Sequence, residues 1–250
     1  MKTQLHLLLA ALTLWVWAGR ASAANMPAEF NAANKLYAEG KFASAADAYQ
    51  KIIQSGAVSP PLYFNCGNAE FKAGNLGRAV AAYRRAEQLA PRDAEVRANL
   101  EFVRNQVPGP TLREKRWEDW LGTLTLNEWT GLTAAALWLV LALLAAMLIR
   151  PTFKPALRGF TRAAVVLVIA AGACAGVDTA IHFSKPTVVV VAQDPTLRSG
   201  PFDEAQSAFT AHNGAELAVL DRRDDWLQVT DGSGRIGWIQ RQQVEILHGS

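Results

Sequence analysis

The sequence predicts a multidomain chain: an α-helical repeat region, then a two-helix transmembrane hairpin, then a small C-terminal all-β barrel. Three observations predict it. Gly40-Lys41-Phe42-Ala43-Ser44-Ala45 returns 34 residues later as Gly74-Asn75-Leu76-Gly77-Arg78-Ala79, a period that belongs to a helix–turn–helix repeat. Two apolar runs, each of about 20 residues and long enough to cross a hydrocarbon core, flank a short basic stretch without an acid. Beyond Phe183 the pattern changes to short, valine-rich runs divided by Asp-Gly-type turns, which reads as strands.

Of the 250 residues 50% are apolar, and mean hydropathy is +0.06, high for a purely soluble chain of this size. The excess is concentrated in three runs. Formal charge is +3, and removing residues 1–23 takes away Lys2 and Arg20 but no acid, which leaves +1. A chain so close to neutral gives no electrostatic case for nucleic acid. The two cysteines, Cys66 in the repeats and Cys174 in an apolar run, belong to no CxxC pair, so metal binding and thiol redox have no support and no cofactor is implied.

Met1-Lys2, an apolar run from Leu5 to Ala18 and Ala21-Ser22-Ala23 make a basic start, an apolar core and an A-x-A end. Residues 1–23 are therefore read as a secretory signal peptide cleaved after Ala23, the competing reading being an uncleaved anchor. Either way, the chain beyond Ala23 emerges on the far side of a membrane.

Residues 24–107 carry two repeat units and a capping helix. A glycine ends the first helix of each unit, where the turn needs φ > 0. Small Ala45 and Ala79 let the second helix approach closely, and Tyr49 and Tyr83 fill the space between helices. Tyr63, Gly67, Gly74, Leu76, Ala79, Tyr83, Ala86 and Pro91 stand in register with the tetratricopeptide pattern, and the segment resembles tetratricopeptide repeats. Val96, Leu100, Val103 and Val107 make one face of a further helix that covers the open end of the second unit. Two units plus one helix is short for a solenoid, so other packing is expected to complete it.

Residues 108–128 form a linker, broken by Pro108-Gly109-Pro110 and carrying Trp117 and Trp120, which suit a membrane–water interface. Spans are expected over 129–149 and 163–183. The loop 150–162 holds Arg150, Lys154, Arg158 and Arg162 and is cytoplasmic under the positive-inside rule, which places both large flanking segments outside. Residues 184–250 form the barrel. Leu197-Arg198-Ser199-Gly200-Pro201, Val219-Leu220, Trp226-Leu227-Gln228-Val229 and Gly237-Trp238-Ile239 resemble, in that order, a bacterial SH3-like domain.

The tetratricopeptide resemblance implies a protein-binding concave face lined by the first helix of each unit. By register that face holds Phe30, Asn34, Tyr37, Phe64, Asn68, Phe71 and Lys72. Rings offer area and amides can pair with a peptide backbone; the alternative is that the rings pack against the added helix or the linker. Asn34 and Asn65 match two positions of the carboxylate-clamp subtype. Phe30 and Glu95 stand where that clamp needs cations, so it is excluded. In the second span Gly172, Gly176 and Ala180 form a smooth stripe, for the first span or for a partner helix. Asp178 and His182 share a helix face near the outer end, with nothing to continue a proton relay. Cys66 takes a core position. Trp226 reads as core, and Trp238 is open between core and stacking on a cell-wall ligand. No nucleophile, acid–base pair or metal set emerges, so no enzyme is implied.

The order of signal, tetratricopeptide pair, membrane hairpin and SH3-like domain resembles the aerotolerance-operon proteins of the BatE type. That resemblance implies a scaffold in the bacterial inner membrane, with periplasmic repeats and C-terminal domain. It implies as partners membrane and periplasmic proteins with von Willebrand factor A domains, and an AAA+ ATPase of the MoxR type. The competing class is an envelope sensor or peptidoglycan-binding module acting through the SH3-like domain.

Overall fold

The computed structural model describes residues 26–110, 112, 124–184 and 186–247, without the side chains of 178 and 181–184. The expected signal peptide and the linker tryptophans Trp117 and Trp120 lie outside the described residues. So do the side chains of Asp178 and His182.

Helices α1 (Met26–Ala38), α2 (Phe42–Gln54), α3 (Pro60–Lys72), α4 (Leu76–Leu89) and α5 (Ala94–Arg104) build the N-terminal lobe. The two inter-helix turns close in the same way. Gly40 and Gly74 hold φ of +76° and +86°. The amides of Gly40 and Lys41 donate to Tyr37 O and Leu36 O, and those of Gly74 and Asn75 to Phe71 O and Glu70 O. This closure needs a left-handed residue, which glycine adopts without a Cβ clash. Pro60 opens α3, where a missing amide hydrogen costs nothing. Asp93 caps α5, its carboxylate accepting from the Glu95 and Val96 amides at 2.9 and 3.2 Å.

Buried alanines bring the helices together, and two tyrosines lock them. Tyr49 OH donates to Asn34 Oδ1 at 2.5 Å, and Asn65 Nδ2 donates to the same oxygen at 3.1 Å. One period later Tyr83 OH and Asn99 Nδ2 donate to Asn68 Oδ1 at 2.6 and 3.3 Å. Since Asn99 repeats the role of Asn65, α5 is the first helix of a third unit.

Helix α6 (Leu126–Ile149) starts three residues before the expected span, with a capping box between Thr125 and Glu128. Arg92, just before α5, pairs with Glu128 and ties the repeats to this helix start. A 3-10 turn (Pro151–Phe153) leads into α7 (Lys154–Ser184), so most of the expected basic loop is helix. The two long helices have mean hydropathy 2.6 and 2.0 over their best windows, of which only 11% is buried. Apolar faces this exposed do not suit water and are compatible with membrane spans. Trp129, Ala136 and Val140 on α6 and Ala164 and Ala171 on α7 form their buried seam.

The C-terminal domain consists of β1 (Thr187–Val190), β2 (Thr196–Arg198), β3 (Ser207–Thr210), β4 (Glu216–Arg223), β5 (Trp226–Thr230), β6 (Ile236–Gln240) and β7 (Val244–Ile246). All pairings are antiparallel, in the order β3-β2-β6-β5-β4-β1-β7. The sheet carries the SH3-like strand sequence but is not closed into the expected barrel. Its end strands β3 and β7 do not pair with each other, and β7, three residues long, is covered by the repeats instead. The β5–β6 turn is fixed by Asp231, which accepts from the Ser233 and Arg235 amides and from the Arg235 guanidinium at 2.7 Å.

The two lobes form a common core. Val189 (0% exposed) and Leu247 (4%) pack in one cluster with Ala79, Val80, Leu100 and Val103 of α4 and α5. A Cβ on Gly77 would lie 2.2 Å from Val190 O, so only glycine permits this approach. The packing that a two-and-a-half-unit solenoid lacks is supplied by the chain's own C-terminal domain.

Candidate functional site: the open concave face and the closed end of the repeats

The first helices α1 and α3 carry the residues expected on the concave face. Phe30, Asn34, Tyr37, Phe64, Asn68 and Phe71 are half-buried, and Lys72 is exposed. Each ring leans on a neighbour: Phe30 on Tyr49 (centroids 5.8 Å apart), Tyr37 on Phe42 (5.2 Å), Phe64 on Tyr83 (5.9 Å) and Phe71 on Phe102 (5.7 Å). The rings therefore belong both to the surface and to the inter-helix packing. The oxygens of Asn34 and Asn68 each already accept two bonds within the repeats, which leaves them little to offer a peptide amide. Asn65, the second clamp-like residue, is itself a donor to Asn34, so a carboxylate clamp is absent from this pair.

Phe102 is a surface residue that the sequence reasoning misses. It stands on α5 two periods after Asn34, is 58% exposed, and extends the aromatic face onto the first helix of the third unit. Extending the 34-residue register past Asn68 would have found it.

The other side of α4 and α5 is closed. Glu216 at the start of β4 is buried and meets two guanidiniums of the repeats. Arg84 Nε donates to its Oε1 at 2.5 Å, while Arg104 Nε and Nη2 donate to Oε2 and Oε1 at 2.7 and 2.9 Å. Burial pushes the Glu216 carboxyl up. The charges of Arg84 and Arg104, with their hydrogen bonds, outweigh burial and hold it below the usual glutamate value. Asn213 Oδ1 accepts from the Gly77 amide at 2.6 Å, and its Nδ2 donates to the Val191 and Ala192 carbonyls. Arg85 donates to Ile246 O at 2.8 Å and so covers the free edge of β7. The partners that join the two lobes are more than a hundred positions apart, beyond any local sequence signal.

In the SH3-like domain Trp238 is 6% exposed, with the Arg223 guanidinium 5.6 Å from its ring centroid. Trp226, read from sequence as core, is half-buried. It lines an open cleft with Asp203, Asp225, Gln240, Arg241 and Gln242, in which Gln240 donates to Asp203 at 3.0 Å. In the hairpin, a Cβ on Gly172 would touch Thr133 of α6 at 3.8 Å, whereas Gly176 and Ala180 are exposed and Gly176 has open space around it. Cys66 is buried, and burial foremost pushes its thiol up to about 12.

Two family matches coincide with these lobes. Residues 60–93 match the tetratricopeptide repeat, which covers α3 and α4. Residues 194–245 match the bacterial SH3 domain, from just before β2 to within β7. Among curated proteins no match to the chain is found. The class of protein so defined combines a tetratricopeptide repeat lobe, two long apolar helices and a bacterial SH3-type domain. Repeats of this kind serve protein–protein interaction, bacterial SH3 domains suggest cell-wall binding, and both are typically binding modules without catalysis.

Proposed function

We propose that this chain is a non-enzymatic scaffold of the bacterial inner membrane. Both lobes stand in the periplasm, and partner proteins bind along the concave face of the repeats. The observation that carries this reading is the division of labour on α5. One side of the helix is buried against the SH3-like domain through Val103 and Arg104, while Phe102 and the first-helix aromatics remain accessible. An aromatic strip kept open beside a rigidly closed one favours an exogenous partner over internal packing.

The BatE-type domain order points to partners with von Willebrand factor A domains, and to a MoxR-type ATPase acting on the same complex in aerotolerance or envelope stress. The test is affinity capture from gently solubilised membranes with Phe102→Ala and Lys72→Glu. These side chains are exposed, so their loss leaves the fold intact, whereas Phe64 and Phe71 also pack inward. An anchor of this kind is worth about 2 kcal/mol, and recovery of a von Willebrand partner is expected to fall sharply. Wild-type recovery by the double variant would remove the groove from consideration.

A second reading, an envelope sensor or peptidoglycan-binding module, has its own observation: the Trp226 cleft within the segment matching bacterial SH3 domains. Sedimentation with purified peptidoglycan, lost in Trp226→Ala, would favour it.

A further inference from the structure

The basic segment between the spans is a stripe on a helix. Lys154, Arg158 and Arg162 stand at four-residue steps in α7, and all three are exposed. At 3.6 residues per turn the three fan over about 80°. The seam of α7 against α6 runs instead through Thr161, Ala164, Val168 and Ala171, so the stripe flanks the seam. Arg150 lies at the turn, its guanidinium 5.8 Å from the Phe153 ring. No ion pair to these four cations is found among the described residues, and no acid occurs between Glu128 and Asp178.

The depth of the stripe makes it unusual. Gly172 is level with Thr133, since a Cβ there would touch that side chain. Ten residues from Gly172 toward the turn lies Arg162, level with about residue 143 of α6. Helix α6 stays apolar to Ile149, roughly 9 Å further at helical rise. Arg158 and Arg162 thus stand beside the last apolar turns of α6, where Leu148 and Ile149 are 80% and 79% exposed. A guanidinium at that depth needs a counter-charge or a route to the headgroups.

Resting on the membrane placement proposed above, we propose that this flank is a binding site for anionic phospholipid. The lipid phosphate is held between Arg158 and Arg162, with Lys154 and Arg150 toward the aqueous side, and its acyl chains run toward the bilayer centre over the exposed Val165, Val166 and Ile169 on the same face of α7. Charge and depth together select a lipid: an acidic peptide would satisfy the cations but would leave the adjacent apolar turns uncovered.

The test is native mass spectrometry of the full chain in mild detergent, titrated separately with phosphatidylglycerol, phosphatidylcholine and inorganic phosphate. Phosphatidylglycerol is expected to bind about tenfold or more tightly than phosphatidylcholine. Arg158→Gln with Arg162→Gln should abolish that preference, and Arg158→Lys with Arg162→Lys should largely keep it. Equal binding of the two lipids by the wild-type chain overturns the proposal. So does a preference that survives in the glutamine variant, an adduct with inorganic phosphate equal to that with phosphatidylglycerol, or co-purification of an acidic protein in place of lipid. Alkaline carbonate extraction of membranes is the separate control. Release of the chain there refutes membrane insertion itself, whereas retention without lipid preference refutes only the site.

Discussion

Glu216→Gln tests whether the lobes are one unit. The substitution keeps the shape of the side chain and removes the charge that Arg84 and Arg104 share. Glu216 is nearly inaccessible, and the side chains of Arg84 and Arg104 are 13% and 25% exposed, so solvent screens the cluster weakly. Removing one member of a buried ion pair typically costs about 3–5 kcal/mol. The lower end applies here because Arg104 is partly wet and Arg84 keeps Glu87 at 3.1 Å. About 3 kcal/mol is roughly a hundredfold in the docking equilibrium. The Gly77 amide reads that equilibrium directly. It belongs to the first turn of α4, where a helix offers no acceptor, and its partner is Asn213 of the other lobe. Hydrogen exchange at Gly77 is expected to accelerate about a hundredfold in the variant, with α1 and α2 unchanged. The ionised form of Glu216 is the docked form and its carboxyl lies below its usual value. Its contribution is therefore fully present at neutral pH, begins to fall as pH enters the ordinary glutamate range, and is gone once pH has passed below the lowered value. Wild-type exchange at Gly77, or docking insensitive to strong acid, would refute the reasoning.

Single contacts give further expected outcomes. Gly77→Ala should raise the intrinsic helicity of α4 yet separate the lobes, because the new methyl meets the Val190 carbonyl; unchanged exchange around residue 77 would contradict the close approach. Cys66, with its thiol pushed to about 12, should resist iodoacetamide at mildly alkaline pH until the chain is unfolded, and rapid labelling of the native chain would show that α3 opens. Alkaline phosphatase fused after Leu247 is expected to be active and fused at Lys154 inactive; activity at Lys154 would invert the topology.

Much of the architecture is legible in the sequence because it is local and periodic. The glycine turns at Gly40 and Gly74, the tyrosines Tyr49 and Tyr83 and the apolar runs are patterns within a few dozen residues, and periodicity reports them directly. Strands β2, β3 and β7 escape it, since three or four residues are too few to show alternation. The helical start of α7 escapes because four cations read as a loop, although a four-residue spacing is also a helix face. Trp226 misleads, and Trp238 stays open in the sequence, for another reason. Trp238 has Arg223 of the neighbouring hairpin over its ring, and Trp226 lines a cleft formed by distant segments, and neither contact is local in sequence. The concave face is legible only to the second helix, because the apolar face of α5 reads as a cap and hides the place of Phe102 in the register.

The lobe–lobe contact also constrains how the chain can sit in a bilayer. The repeats precede the hairpin and the SH3-like domain comes after it, yet Arg84 and Arg104 touch Glu216 directly. Two segments in direct contact share one side of any membrane, so the chain between them must cross an even number of times. Helices α6 and α7, antiparallel and joined by a three-residue turn, meet that condition, and a single span would not. The Arg92–Glu128 pair adds a second constraint by fixing the repeats close to the start of α6. Arginine contacts at residues 84, 92 and 104 thus connect the second unit and α5 to both the SH3-like domain and the hairpin. A partner seated on Phe102 would therefore press on the element to which the other two are tied.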